Sequence, residues 1–350
     1  MYKNFFMGIA AMAALTLVSC SSDDLNSLSG TPSKNEAISF DSYLGRSAVS
    51  VNGSRGSVLE IANLKSLADG FGVFGNYSST DGEAFGSNLF DNQKVTYSST
   101  SNKWEYTPVK YWSPQGHIDF LAYAPRVDGT TLTNTSCIEF TVADNAANQK
   151  DLLWANAKNQ TMTNNSGTDN SGKNKYVKFQ FAHALSRLGY TVKKTNLTGT
   201  STTITLKKIT LAGSKDGTQK AFYPKGTINL STGVWTPSTT EEKLNFDWLS
   251  TDKTLDSDTK NSDTDYLFVI PQDFSKTTEN ADALFVIVEY TIKYGDEKPV
   301  TYTVSSQLKR NFEQGKAYSI NLTLGLTPIE FDADVTAWDN NTEQKDVYWN

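Results

Sequence analysis

From Ala37 to Leu324 the apolar residues arrive in short runs, and no long segment keeps a 3.6-residue period. Phe71-Gly72-Val73-Phe74-Gly75-Asn76-Tyr77, Gln93 to Tyr97, Lys103 to Tyr106, Val109 to Trp112 and His117 to Tyr123 follow one another, separated by Gly, Pro, Asn and Ser. Further runs cover Tyr176 to Phe181, Gly189 to Lys193, Thr202 to Leu211, Gly226 to Leu230, Tyr266 to Ile270, Leu284 to Lys293, Val300 to Val304 and Ala317 to Leu324. Short runs divided by turn residues are the mark of an all-β sandwich protein. The 18 Phe, 16 Tyr and 7 Trp fit that reading, because aromatic side chains suit a pleated, half-buried surface. Only Leu59 to Leu67 reads as a short helix, with one further turn at Ala182 to Leu185.

A chain of 350 residues has room for about two domains. Residues 158–175 are almost entirely Asn, Thr, Ser, Gly and Lys. With so little apolar material to bury, they are expected to link an N-terminal β-sandwich at 37–157 to a C-terminal one at 176–350. Pro237 to Asp265 is a second polar stretch, relieved only by Leu244 to Leu249.

The first residues read as an address. Lys3 precedes fourteen apolar-rich residues, Phe5 to Val18, too short for a membrane span and of secretory length. Leu17-Val18-Ser19-Cys20 resembles a lipoprotein cleavage box. Residues 1–19 are then a signal peptide, Cys20 carries lipid, and residues 20–36 form a flexible tether. Ser21-Ser22-Asp23-Asp24 is either an outer-surface export signal or the start of a solvated linker. With Cys20 acylated, Cys137 has no partner for a disulfide, and its strand-like setting predicts a buried, inert thiol.

Candidate chemistry is sparse. No phosphate loop, HExxH, GxSxG or CxxC is present. His117 and His183 lie in apolar, strand-like runs and read as structural imidazoles. Asp256, Asp258, Asp263 and Asp265 are scattered in a loop, and Asp252 to Asp265 lacks the ligand spacing of a calcium hand. Trp104, Trp112, Trp154 and Trp235 could stack on a sugar, but core or edge roles are commoner for strand tryptophans. The net charge of −6 gives no basic surface for nucleic acid. No enzyme, cofactor or metal site is expected.

Six phrases, taken in order, carry a resemblance. They are Phe71 to Phe74; Tyr106 to Trp112 with Phe120 to Pro125; Asp151 to Ala155; Phe179 to Leu188; Leu267 to Gln272; and Phe312 to Tyr318. Together with the lipobox they resemble the fimbrillin (Mfa-like) family, subunits of type V fimbriae of Gram-negative anaerobes. The resemblance implies two tandem transthyretin-like β-sandwiches, export as an outer-membrane lipoprotein, and assembly with other fimbrial subunits by strand exchange. It implies an Arg-specific protease cutting after the first strand, Ala37 to Leu44, at Arg46 with Arg55 in reserve. The vacated groove would take a neighbour's C-terminal segment from 329–350. There Ile329, Phe331, Ala333 and Val335 alternate with Glu330, Asp332, Asp334 and Thr336. The same segment also reads as the last strand of its own domain. A second reading of the whole chain is a monomeric surface lipoprotein that binds glycan or host protein.

Overall fold

The computed structural model describes residues 36–44, 59, 61–80, 85–170, 172–194, 201–249, 251–255, 260–261, 266–276, 282–325 and 330–337. Among them the architecture is nearly all β. Seven strands form the first sheet: β1 (Phe40–Leu44), β2 (Phe71–Ser78), β3 (Phe90–Ser98), β4 (Lys103–Glu105), β5 (His117–Ala124), β7 (Leu153–Gln160) and β8 (Val177–His183). Their spatial order is β1-β8-β7-β5-β2-β3-β4. Every neighbouring pair is antiparallel except β1 with β8.

The central strands are covered on both faces. On β5, Ile118, Phe120, Ala122 and Ala124 enter one apolar cluster, while Leu121 and Tyr123 enter another. On β2, Phe71 and Val73 face the first cluster and Phe74 the second. This is why both segments read as near-continuous apolar runs rather than clean alternations. Gly75 allows the close packing, since a Cβ there would sit 2.7 Å from the Phe90 ring. Gly70 has φ +56°, and a Cβ on it would come within 1.9 Å of the Val95 carbonyl oxygen.

A short sheet joins the two halves of the sequence. β6 (Cys137–Thr141) pairs antiparallel with β11 (Lys225–Asn229), which pairs with β12 (Trp235–Pro237). Two five-stranded sheets complete the second half. One has the order β13-β10-β18-β19, with β14 on β10: β10 (Thr202–Ala212), β13 (Phe246–Asp247), β14 (Lys253–Leu255), β18 (Phe285–Tyr294) and β19 (Val300–Gln307). The other has the order β15-β9-β21-β22, with β16 on β9: β9 (Ser186–Lys194), β15 (Lys260–Asn261), β16 (Leu267–Val269), β21 (Lys316–Leu324) and β22 (Glu330–Ala337). β17 (Gln272–Asp273) and β20 (Asn311–Phe312) form a small ribbon. The second apolar cluster runs from Phe74 and Leu121 through Ile138 to the strands of these sheets.

The expected linker at 158–175 is corrected. It connects β7 to β8 within one sheet, and β8 is hydrogen-bonded to both β7 and β1. The stretch holds a short helix, α2 (Met162–Asn165), after the six-residue α1 (Ile61–Ser66). Thr161 caps α2, and its buried Met162 anchors it. The chain changes sheets instead at Ala184 and Leu185, between β8 and β9. The turn expected at Ala182 to Leu185 is that corner, not a helix. Cys137 lies on β6 as expected, but half-buried rather than buried.

Because the second face of the first sheet is buried, Leu121→Ala should cost about 2–5 kcal/mol in chemical denaturation. An exposed second face would instead leave stability within about 0.5 kcal/mol of the parent.

Candidate functional site

Among the described residues β1 is the last strand of its sheet, with β8 as its one ladder partner. Its burial alternates: Ile38, Phe40 and Ser42 point inward at 1%, 3% and 5% exposure, whereas Asp41 and Tyr43 are exposed. The period-2 pattern at Ile38 and Phe40 thus produces the expected half-buried strand. The register runs Phe40 opposite Val177, Ser42 opposite Phe179 and Leu44 opposite Phe181.

Upstream the chain leans on a different neighbour. The Ile38 amide donates to the Lys110 carbonyl at 2.9 Å, and the Trp112 amide donates to the Glu36 carbonyl at 2.9 Å. Tyr106 Oη donates to the Ile38 carbonyl at 2.8 Å. Burial pushes the Tyr106 phenol up to about 12, so it remains a donor throughout the physiological range.

Phe40 is the anchor. Its ring lies 5.6 Å from Phe90, 5.4 Å from Tyr106, 5.5 Å from Phe120 and 5.5 Å from Phe179. Edge-to-face and offset contacts of this kind each add about 0.5–1.5 kcal/mol beyond area burial. Two residues on, the Ser42 hydroxyl is buried with no hydrogen-bond partner. The indole nitrogens of Trp104 and Trp112, in the same apolar cluster, are also unpartnered. Both tryptophans are core residues, at 7% and 4% exposure. Trp154 and Trp235 are half-buried, and Trp235 Nε1 donates to the Ala184 carbonyl at 2.6 Å. These four do not form an open stacking platform.

Arg46, Arg55 and Cys20 lie outside the described residues, as do Asp256, Asp258, Asp263, Asp265 and Ile329. β1 ends at Leu44, two positions before Arg46. The chain is described again at Leu59, whose amide donates to Asp151 Oδ2 at 3.0 Å. That same oxygen is 2.8 Å from His183 Nδ1. Asp151 is fully buried and His183 7% exposed. His183 is thus a buried imidazole with a carboxylate partner. Sequence reasoning does not single out Asp151; the available signal is a lone carboxylate opening the apolar run Leu152-Leu153-Trp154.

Of the expected donor positions, Phe331, Ala333 and Val335 lie on β22, at register positions opposite Leu322, Ile320 and Tyr318 of β21. Among the described residues β22 is itself an edge strand. In this structure the segment closes its own sheet. Among the described residues no group of acidic, His and Cys side chains could hold a metal ion, and no helix is long and apolar enough to cross a membrane.

Asp151→Ala leaves the Leu59 amide and the His183 ring without their shared acceptor. We expect a loss of about 2–4 kcal/mol, with faster amide hydrogen exchange at Leu59 as the local sign.

A fimbrial protein from Bacteroides vulgatus shares this fold at TM-score 0.66 and 22% identity, over 87% of this chain and 100% of that one. A candidate cell-adhesion protein from Bacteroides uniformis aligns at TM-score 0.49 and 17% identity, over 87% and 98%. The tip fimbrial protein Mfa3 from Porphyromonas gingivalis aligns at TM-score 0.39 and 12% identity, over 77% and 93%. The fold likeness rests on the first of these. No curated protein matches the chain at a significant level. The fimbrillin-like family model matches residues 62–338, well over half of the sequence, and the chain belongs to the fimbrillin-like family.

Proposed function

We propose that this chain is a structural subunit or adhesin of a type V fimbria, exported as a lipoprotein on Cys20 and assembled by protease-triggered strand exchange. The observation that carries the reading is β1: an edge strand with one ladder partner, a buried aromatic anchor, and an arginine two residues past its end. Family membership supports the same reading.

In this reading an Arg-specific protease cuts after Arg46, or after Arg55, and releases the lipid-bearing segment. β1 then has only non-covalent ties. Its loss would expose the β8 edge together with the pockets of Ile38 and Phe40. An added strand satisfies the open amides and the apolar pockets at once. The C-terminal segment of a neighbouring subunit would fill them. Burying Ile329, Phe331 and Val335 would give about 5–9 kcal/mol before ordering costs. Nothing in this scheme calls for a catalytic group or cofactor.

The test is brief digestion of the mature chain with an Arg-specific protease, followed by mass spectrometry and native electrophoresis. One cut after Arg46 or Arg55, followed by a regular ladder of oligomers, is expected. Deleting 329–350 should abolish the ladder. Phe40→Ala should speed loss of the cleaved strand on the order of a hundredfold. A chain that is cut and stays monomeric would overturn the proposal and favour the monomeric surface lipoprotein, with glycan or host protein as its ligand.

A further inference from the structure

Two distant heptads of this chain echo each other. Ile38-Ser39-Phe40-Asp41-Ser42-Tyr43-Leu44 and Ile329-Glu330-Phe331-Asp332-Ala333-Asp334-Val335 share Ile, Phe and Asp at the same spacing. They also share a small residue at the fifth position and an aliphatic one at the seventh. A strand pattern alone demands apolar residues at alternate positions. It does not demand the matching Asp, or a small residue in the middle of the inward-facing row. From this echo we infer the register of exchange: residues 329–335 of a second copy replace 38–44 position for position, running parallel to β8. The inference rests on the strand-exchange reading above.

The groove discriminates among registers. A slip of one residue would turn Glu330, Asp332 and Asp334 into the core. A slip of two in one direction would drive Phe331 into the place of Ser42, overpacking a site shaped for a hydroxymethyl group. A slip of two in the other would set Ala333 among Phe90, Tyr106, Phe120 and Phe179, leaving a ring-sized void. Only the echoed register seats a phenyl ring where Phe40 sits.

The echo differs from β1 where β1 fits worst. Ser42 buries a hydroxyl with no partner, and a buried unmade hydrogen bond is unfavourable. Ala333 at that position removes the hydroxyl and keeps the volume small. At this position the resident strand is the poorer occupant; Val335 in place of the half-buried Leu44 returns part of that difference, about 0.8 kcal/mol for one methylene, and the remaining bias favours the incoming strand. Among the described residues both segments are edge strands with one ladder each, and the first must also release the hydrogen bonds of Ile38 to Lys110 and Tyr106.

Cysteine pairs read the register directly. Asp41 pairs with Lys178 and Tyr43 with Gln180 across the β1–β8 ladder, and Asp41, Lys178 and Tyr43 are exposed. In the chain from Ser21, with Cys137→Ser in all copies, cleaved Lys178→Cys protein is mixed with Asp332→Cys, Glu330→Cys or Asp334→Cys protein. The result expected is an intermolecular disulfide between positions 178 and 332, with little from 330 or 334. Oligomers that cross-link 178 to 330 or 334 would overturn the register while leaving strand exchange standing. Absence of any oligomer would overturn both.

The bias is tested with a labelled synthetic peptide of residues 327–338 displacing β1 from the cleaved chain. Ala333→Ser in the peptide should weaken capture roughly tenfold, and Ser42→Ala in the protein should slow displacement by a similar factor. Equal capture of the Ala333→Ser and parent peptides would overturn the bias.

Discussion

The first sheet is organised around the Phe120 ring, which gathers strands that are far apart in sequence. Phe120 lies 5.5 Å from Phe40 on β1, 5.6 Å from Phe90 on β3 and 6.3 Å from Phe179 on β8, measured between ring centroids. Trp112 closes the group at 6.4 Å. Such rings are mutually supporting, because each one completes the pocket of the next. Phe40 is the member that enters from the sheet edge. An edge strand is thereby fixed into a close-packed, poorly compressible part of the core, and among the described residues β8 supplies its one hydrogen-bond ladder.

Much of this is legible in the sequence. The alternation at Ile38 and Phe40 marks a half-buried strand, and the structure has one. Leu59 to Leu67 yields α1, trimmed to Ile61–Ser66. His183 reads as structural, and it has a buried carboxylate beside it. The segment 158–175 misleads because composition reports how much apolar surface a stretch can bury, not which strands it connects. A polar excursion between two strands of one sheet looks the same as a linker between sheets. Long-range pairing decides between them, and that information is in no local window. The union of β6 with β11, which sets Thr141 opposite Lys225, is illegible for the same reason. Asp151 escapes sequence reasoning because its partners, Leu59 and His183, are distant along the chain.

The Asp151 site also bears on what cleavage could release. Asp151 Oδ2 accepts from the Leu59 amide and lies against His183 at the end of β8. Residues from Leu59 onward are thus tied to the same strand that pairs with β1. Breaking a buried pair by removing one member leaves the other uncompensated, which opposes local unfolding there. A cut anywhere between Leu44 and Leu59 would then divide a segment that can leave from a segment that is held. The division follows from where the buried acceptor sits, whatever the identity of the arginine that is cut.

The proposed strand exchange sets two opposing requirements on this edge strand. It must be held firmly enough that the unprocessed chain keeps its core closed, and loosely enough to be replaced afterward. Covalent continuity resolves the conflict. While β1 is part of the chain, its neighbours hold it at a high effective concentration, and modest contacts suffice. Once the peptide bond is cut, the same contacts must hold against dilution, and a less favourable residue such as the unpartnered Ser42 weighs directly on occupancy. A competing strand supplied by a neighbouring subunit needs only a small advantage per site to prevail, since each 1.4 kcal/mol is about a tenfold change in the ratio of occupants. In the proposed scheme the imperfection at Ser42 is consequently harmless before cleavage and weighs on occupancy after it.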